Sequence, residues 1–440
     1  GYNIVNIITI LLGDIMDQNI TSWRRNIFLF LTSQFLTGIT SMIVQYAIIW
    51  YLTKKTGSAT ILSFATILGM LPMVLLSPFV GPLVDRWNKK GLLIVPDCVA
   101  ALFAIILSVS GVVFHVFPLW LIFISLLMRS IAQTFQMPTI QAVMPTMVPE
   151  KEITRANGQL GMVQSANMII APALGAVLFA MIPMKFLILL DVLGAIIGIA
   201  ILMFVTIPKN EKIDEALHVL HNTKVGVQQL FTNKGLWYIT LIGAFFTLFY
   251  MPCASMYPLM TLSYFHGTVG QAGLIEAVYS AGMLVGGTII GVFGKWSNRM
   301  IPVIAAFFVI GITTGLSGVL PGNQTGFIWF VVLNALAGLA TPYFNTLLMA
   351  MIQQSYPPKE LGRILGVLNS LLSLTGPLGL IFAGPLADAI GVEQLFIIAG
   401  ISAAISGIVA WLIPVVKNYD RNLQSRLALQ KVPKREQNSN

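Results

Sequence analysis

The chain has 440 residues, of which 56% are hydrophobic and only 9% are Asp, Glu, Lys or Arg. Soluble domains carry about 25% charged residues, and a single soluble core does not grow this apolar, so a mean hydropathy of +0.84 points to a chain that crosses a bilayer many times. The net charge of +9 does not imply nucleic acid: of the 25 Lys and Arg, all but Lys54, Lys55, Lys185 and Arg129 fall on one side of the predicted spans, the side that the positive-inside rule makes cytoplasmic.

A bilayer core about 30 Å thick needs about 20 apolar residues per helix. Residues 1–23 form an N-terminal segment. The apolar run within 1–15 is too short to span, and it lacks the basic start and small-residue cleavage site of a signal peptide. It reads as a translated leader or an added piece ahead of Met16. Six spans follow, at 26–52, 60–84, 91–114, 118–138, 156–181 and 186–206, forming a first bundle over 24–206. Residues 207–235 are a charged cytoplasmic linker. Its Ile213, Leu217 and Leu220 fit either a helix on the membrane surface or a solvated one. Six more spans, at 236–263, 270–293, 301–320, 326–350, 364–386 and 394–416, make a second bundle over 236–416, and 417–440 is a basic tail. The expected fold class is all-α, with twelve transmembrane helices in two six-helix bundles and both termini cytoplasmic.

The two bundles repeat. PEKEITRANG (149–158) and PPKELGRILG (357–366) align without gaps, matching at Pro149/Pro357, Lys151/Lys359, Glu152/Glu360, Arg155/Arg363 and Gly158/Gly366. Each occupies the connection between the fourth and fifth helix of its half. Internal repeats of this kind are typical of transporters.

Charges inside the spans are the next signal, because they are costly in lipid and so read as functional. Arg129 lies in the middle of the fourth span. Asp97, at similar depth on the adjacent third span, is the expected acid partner, as an ion pair or a proton relay. Asp191 and Glu276, one per half, read as reversible proton carriers or as packing acids near the interface. Gln34, Gln45, Tyr250, Met251, Tyr257, Tyr343, Phe344 and Asn345 are candidates for a large, adaptable cavity. Gly282, Gly286, Gly287 and Gly291 suit helix packing. Cys98 and Cys253 give no disulfide or metal spacing and read as inert core residues. Only four histidines occur, scattered along the chain. With no phosphate-loop, zinc-protease or nucleophile-elbow motif, an enzyme is not expected.

GPLVDRWNKK (81–90) reads as a charged loop between the second and third spans. It resembles the signature of the major facilitator transporters, roughly G-x-L-A-D-R-x-G-R-K, through Gly81, Leu83, Asp85, Arg86, Lys89 and Lys90, with Asn88 in place of the second glycine. The resemblance implies a substrate site between the halves and a cytoplasmic latch in which Asp85 engages the eleventh helix. The matching loop of the second half, GVFGKWSNR (291–299), has Lys295 where the acid would be. Arg129 matches the arginine of a second signature, that of drug/proton antiporters. MIIAPALGAV (168–177) resembles their fifth-helix signature, keeping Pro172 and Gly175, with Ala171 and Ala176 in place of glycines.

From about residue 23 onward, the chain is similar to the macrolide-efflux branch of these antiporters, above all over 46–90, 129–138, 190–198 and 358–366. That similarity implies a bacterial plasma-membrane protein, monomeric and without a cofactor. It would export macrolides or other small amphipathic drugs by alternating access, driven by protons moving inward. An exporter of a siderophore or other metabolite is the alternative, and a nutrient importer fits less well.

Overall fold

The computed structural model describes residues 18–149, 152–207, 228–293, 296–356 and 358–431, and leaves aside the side chains of 18–22, 77–79, 81, 82, 85, 86, 154, 358–360, 362, 363 and 429–431. Among the described residues, twelve helices are long and apolar enough to cross a membrane. They are α1 (Gln18–Thr56), α2 (Ala59–Arg86), α3 (Lys89–Val113), α4 (Leu119–Met147), α5 (Ile153–Met181), α6 (Leu190–Met203, which spans only together with the preceding helical turn, as Met184–Met203), α7 (Lys234–Ser255), α8 (Val269–Phe293), α9 (Met300–Ser317), α10 (Gln324–Ser355), α11 (Pro358–Ile390) and α12 (Val392–Leu412). A further helix, α13 (Tyr419–Lys431), lies within the expected tail. Large apolar side chains stand exposed around them, Trp120, Phe204, Trp329 and Phe382 among others. That is what a lipid-facing surface requires and a water-facing one avoids. Cys98 is exposed in the same way, which corrects the core reading, while Cys253 is buried.

Several helices outrun their expected ends. The stretch 81–90 is mostly not a loop: α2 continues to Arg86 and α3 begins at Lys89. Asn88 explains the tight junction. Its side-chain oxygen accepts from the backbone N–H of Lys90 (3.0 Å) and Gly91 (3.3 Å), capping α3 as short polar residues do. Its φ of −66° is ordinary, so it serves as a cap and does not replace glycine for a left-handed turn. Likewise α4 runs through Pro138 to Met147. The stretch 358–366 opens α11, with Pro358 in the first turn, where its missing N–H costs nothing. By contrast, α7 stops at Ser255, short of 263. Pro258 follows, and the chain continues as a short turn and a π-helical turn, Met260–Tyr264, because proline removes a backbone donor.

Packing divides the chain into two compact units, residues 1–48 with 75–217, and residues 49–74 with 218–440. In the first unit, α1 and α6 approach over small residues, and Ser33 Oγ donates to the Gly198 carbonyl at 3.0 Å. An apolar core of Phe30, Leu93, Val143, Met144 and Leu202 fills one end. At that end Lys90 Nζ donates to the carbonyls of Met203 (3.0 Å) and Val205 (3.1 Å), where a cation suits the C-terminus of α6.

In the second unit, α8 and α10 meet through glycine. A Cβ at Gly282 would fall 2.6 Å from the Ala335 carbonyl oxygen, and one at Gly286 would strike that of Leu339, whereas Gly287 and Gly291 face open space. The packing reading therefore holds for the first two glycines only. Gly286→Leu should lower stability by about 1–3 kcal/mol through overpacking against backbone, while Gly287→Ala should leave it unchanged. Thermal unfolding of the two variants in detergent checks this, and equal midpoints would refute the seam.

Two carboxylates that carry no local sequence signal also organise this unit. Asp388, near the end of α11, caps α2: it accepts from Ser58 Oγ (2.8 Å) and from the backbone N–H of Ala59 (2.6 Å) and Thr60 (3.0 Å). A carboxylate there satisfies orphan donors at the positive end of a helix. Asp420, in α13, is fully buried and accepts from the backbone N–H (2.7 Å) and Nε (2.9 Å) of Arg299. Tyr419, whose hydroxyl burial pushes above the usual phenol range, accepts from Asn233 Nδ2 at 2.9 Å and lies 2.8 Å from Ser355 Oγ. Much of the expected tail is thus a docked helix.

Candidate functional site

Among the described residues, the intramembrane charges sort into one ion pair and two carboxylates with no basic partner. Arg129 on α4 pairs with Asp191 on α6, and both side chains are almost fully buried. Ser41 on α1 completes the cluster. Its hydroxyl donates to Asp191 Oδ1 at 3.0 Å, and its carbonyl accepts from Arg129 at 3.4 Å. Asp97 is therefore not the partner of Arg129. The depth was misjudged: Asp97 lies level with Gln136, about 10 Å along α4 from Arg129, and the acid that faces Arg129 comes from α6. The counterpart position in the second unit, Asn334, donates to the Ile275 carbonyl at 2.7 Å, so a hydrogen bond to α8 stands where the first half has a charge.

Asp97 instead accepts from Gln136 Nε2 at 3.3 Å. It opens on a cavity of about 340 Å³ inside the first unit, walled by α1, α3, α4 and α5. Gln34, Ser41, Gln133, Gln136, Gln164 and Asn167 are its polar lining residues, and Met42, Met137 and Met168 supply soft apolar surface. Of the expected cavity residues only Gln34 is here. Gln133, Gln136, Gln164 and Asn167 were not foreseen, although the sequence holds a signal for them: each pair recurs at i and i+3 within an apolar helix, which aligns the amides on one face.

The other expected cavity residues do not line this first-unit cavity. Phe344 is buried among Phe246 and Phe307 in the core of the second unit, and Tyr343 packs against Trp296. Both are packing residues, as aromatics at helical spacing commonly are. Tyr257 is buried against Phe330 and Phe396. Tyr250 stacks on Phe246 and shares a hydrogen bond with Tyr279 (3.2 Å), which in turn reaches Thr341 (3.0 Å). Met251 lies against Gly376, Gln45 is half-buried and Asn345 is exposed. Glu276 makes no ion pair among the described residues, and sits within electrostatic reach of Tyr257 and Tyr279.

Of the gating stretch, the side chains of Gly81, Asp85 and Arg86 lie outside the described residues, as does Lys295. Lys89 is buried and donates to the Ala142 carbonyl at 3.3 Å. With Lys90, which donates to carbonyls at the end of α6, both lysines of α3 bond to carbonyls of their own unit. Ala171, Pro172 and Gly175 are buried in α5, with Pro172 inside the helix. Residues 1–15 and most of the linker, 208–227, also fall outside the description.

Twelve apolar helices with an internal repeat, a buried charge pair and a polar cavity between helices define a multi-pass membrane protein built as a transporter. The Major Facilitator Superfamily model matches residues 30–266 and 253–436. The chain is 35% identical over 405 residues to "Macrolide efflux protein A" of Streptococcus pyogenes, covering 92% of this chain and 99% of that protein. It is 24% identical over 412 residues to "Multidrug efflux pump Tap" of Mycolicibacterium fortuitum, covering 90% and 98%. Among solved structures, it superposes on the nucleoside transporter NupG with a TM-score of 0.66 at 14% identity, covering 88% and 97%. A bacterial metal transporter gives 0.67 at 14% identity with the same coverage. These two share the fold. The chain belongs to the Major Facilitator Superfamily, within the branch that holds the macrolide-efflux relatives.

Proposed function

We propose that the protein exports macrolide-type or other amphipathic drugs across the bacterial plasma membrane by alternating access, driven by the proton gradient, with both termini cytoplasmic. The observation that carries the drug-export reading is the match to Macrolide efflux protein A along 99% of that relative's length. The multidrug relative supports the wider substrate range. The methionine-rich, amide-bearing cavity suits such a ligand: Met adapts its shape, and a few polar groups fix orientation.

The coupling part of the proposal rests on the acids. Asp191 is ion-paired with Arg129 and serves the fold. Asp97 and Glu276 have no basic partner among the described residues, so they are the groups left to take up and release a proton within the spans. Asp97 also faces the cavity, which puts proton and drug in one compartment. Drug binding and protonation then compete for states of the same site, and a ligand shifts the equilibrium only by its differential affinity for those states.

Everted membrane vesicles test the reading. A macrolide should accumulate inside them when a pH gradient is imposed, and accumulation should collapse when the gradient is dissipated. Accumulation indifferent to the gradient would overturn proton coupling, and no accumulation of any macrolide or amphipathic drug would overturn the export reading.

A further inference from the structure

A cavity of about 520 Å³ lies in the second unit at the end of the spans, where the start of α7, the end of α10 and the docked α13 meet. Tyr419, Asn422, Leu423 and Arg426 line it from one face of α13, at the i, i+3, i+4 and i+7 spacing of a helix. Its walls are fixed. Asp420 bonds α13 to Arg299, the Tyr419 hydroxyl bonds to Asn233 and Ser355, and the Tyr419 ring packs so closely on Gly235 that an added Cβ would strike it.

Two cations line this cavity, and none of its lining residues is an acid. Lys234 and Arg426 are both exposed, so their charged ends are open to a ligand. Neither has a carboxylate partner or a hydrogen bond among the described residues. The first turn of α7 holds no acid to offset Lys234, and Asp420 is already bonded to Arg299. Tyr419 is the neighbour they share: its ring lies on Gly235, next to Lys234, and its hydroxyl feels the charge of Arg426. The first-unit cavity lined by Arg24, Glu152 and Arg155 is the contrast, because there Glu152 lies 3.8 Å from Arg155 and supplies the negative charge from within the chain. The second-unit cavity leaves that charge to a ligand. Its wall also includes Val415, which is 47% exposed and apolar, so an anion with an apolar body fits better than a bare one.

We infer that Lys234 and Arg426 bind the phosphate headgroup of an acidic phospholipid, whose apolar part lies along Val415. The inference takes from the proposed function only the cytoplasmic placement of the C-terminus, which puts the site at the inner leaflet, and it does not depend on drug export. Bases just beyond the cytoplasmic end of a span attract acidic lipids, and charge-assisted bonds from Lys and Arg to phosphate are strong ones. A zwitterionic headgroup carries a cation as well, and no acid lines the cavity to meet it.

The test uses the full chain in an uncharged detergent, with short-chain phosphatidylglycerol, short-chain phosphatidylcholine and inorganic phosphate as probes. Native mass spectrometry reads binding, and thermal unfolding reads its effect on the fold. Phosphatidylglycerol should bind about tenfold more tightly than phosphatidylcholine, as two bases acting on one net negative headgroup imply, and it should raise the unfolding midpoint. Lys234→Gln/Arg426→Gln should bring that ratio to about one, and each single glutamine variant should lose part of it if the double variant fails to fold. Lys234→Arg/Arg426→Lys should keep the preference, and so should Arg24→Gln/Arg155→Gln at the contrasting cavity. Equal binding of the two lipids to the wild type would overturn the inference, as would a preference that survives Lys234→Gln/Arg426→Gln. Inorganic phosphate that binds as tightly as phosphatidylglycerol and displaces it would assign the site to the free anion and overturn the lipid reading.

Discussion

Arg129→Met should cost the protein about 3–5 kcal/mol of stability, the range for removing one partner of a buried ion pair. The argument is geometric. Arg129 and Asp191 are both almost fully buried, and the only other groups bonded to the pair among the described residues are the hydroxyl and carbonyl of Ser41. Without the guanidinium, Asp191 keeps one hydroxyl donor and no counter-ion at an almost fully buried position. The double variant Arg129→Met/Asp191→Asn removes the charge together with its partner and should recover most of the loss, since replacing both members of a buried pair is often nearly neutral. Thermal unfolding in detergent, with the amount of folded protein in the membrane as a second reading, decides the matter. A double variant no more stable than the single one would mean that Asp191 is not what Arg129 neutralises.

That pair also shows how far the sequence could be read. Arg129 stood out because lipid makes any charge exceptional, and its role in a buried interaction was legible. Its partner was not. Asp97 and Asp191 are both acids on neighbouring helices, and counting residues from presumed span ends fixes neither the depth, since Asp97 lies level with Gln136, nor the rotation that turns a side chain toward one neighbour or another. The twelve spans were legible for a similar reason, since about 20 apolar residues are needed whatever the tertiary structure. The ends were less so. The start of α2 is fixed by Asp388, more than 300 residues away, and the docking of α13 by Arg299. No local pattern announces either one. Aromatic residues misled in a different way. Phe344 and Tyr343 have the size and adaptability of a drug-binding wall, but the same properties make them good core fillers, and there they pack. The amides of α4 and α5 carried the better signal. A polar side chain in an apolar helix must find a partner, so its position is more constrained than that of a phenylalanine.

Asp97→Asn should abolish export driven by the pH gradient and leave the fold and drug binding in place. Asparagine is nearly isosteric with aspartate and keeps the Oδ1 that accepts from Gln136, so the contact that orients the side chain survives. Only the capacity to carry a proton is lost. A transporter of this kind would still exchange drug for drug down a concentration gradient, because the cavity and its alternation remain, but it would no longer concentrate drug against one. Uphill uptake into everted vesicles should therefore fall to background, while counterflow proceeds within about twofold of wild type. Glu276→Gln is the matched comparison. Glu276 lies among the tyrosines of the second unit, outside the cavity that Asp97 faces. If its loss abolishes uphill transport and that of Asp97 does not, the coupled proton belongs to the second unit, and drug and proton are separated in space. If both variants keep uphill transport, neither acid carries the proton. If Asp97→Asn alone uncouples, proton and drug share one cavity. Drug affinity should then rise with pH in the wild type and become independent of pH in the variant, because protonation and drug binding would no longer compete.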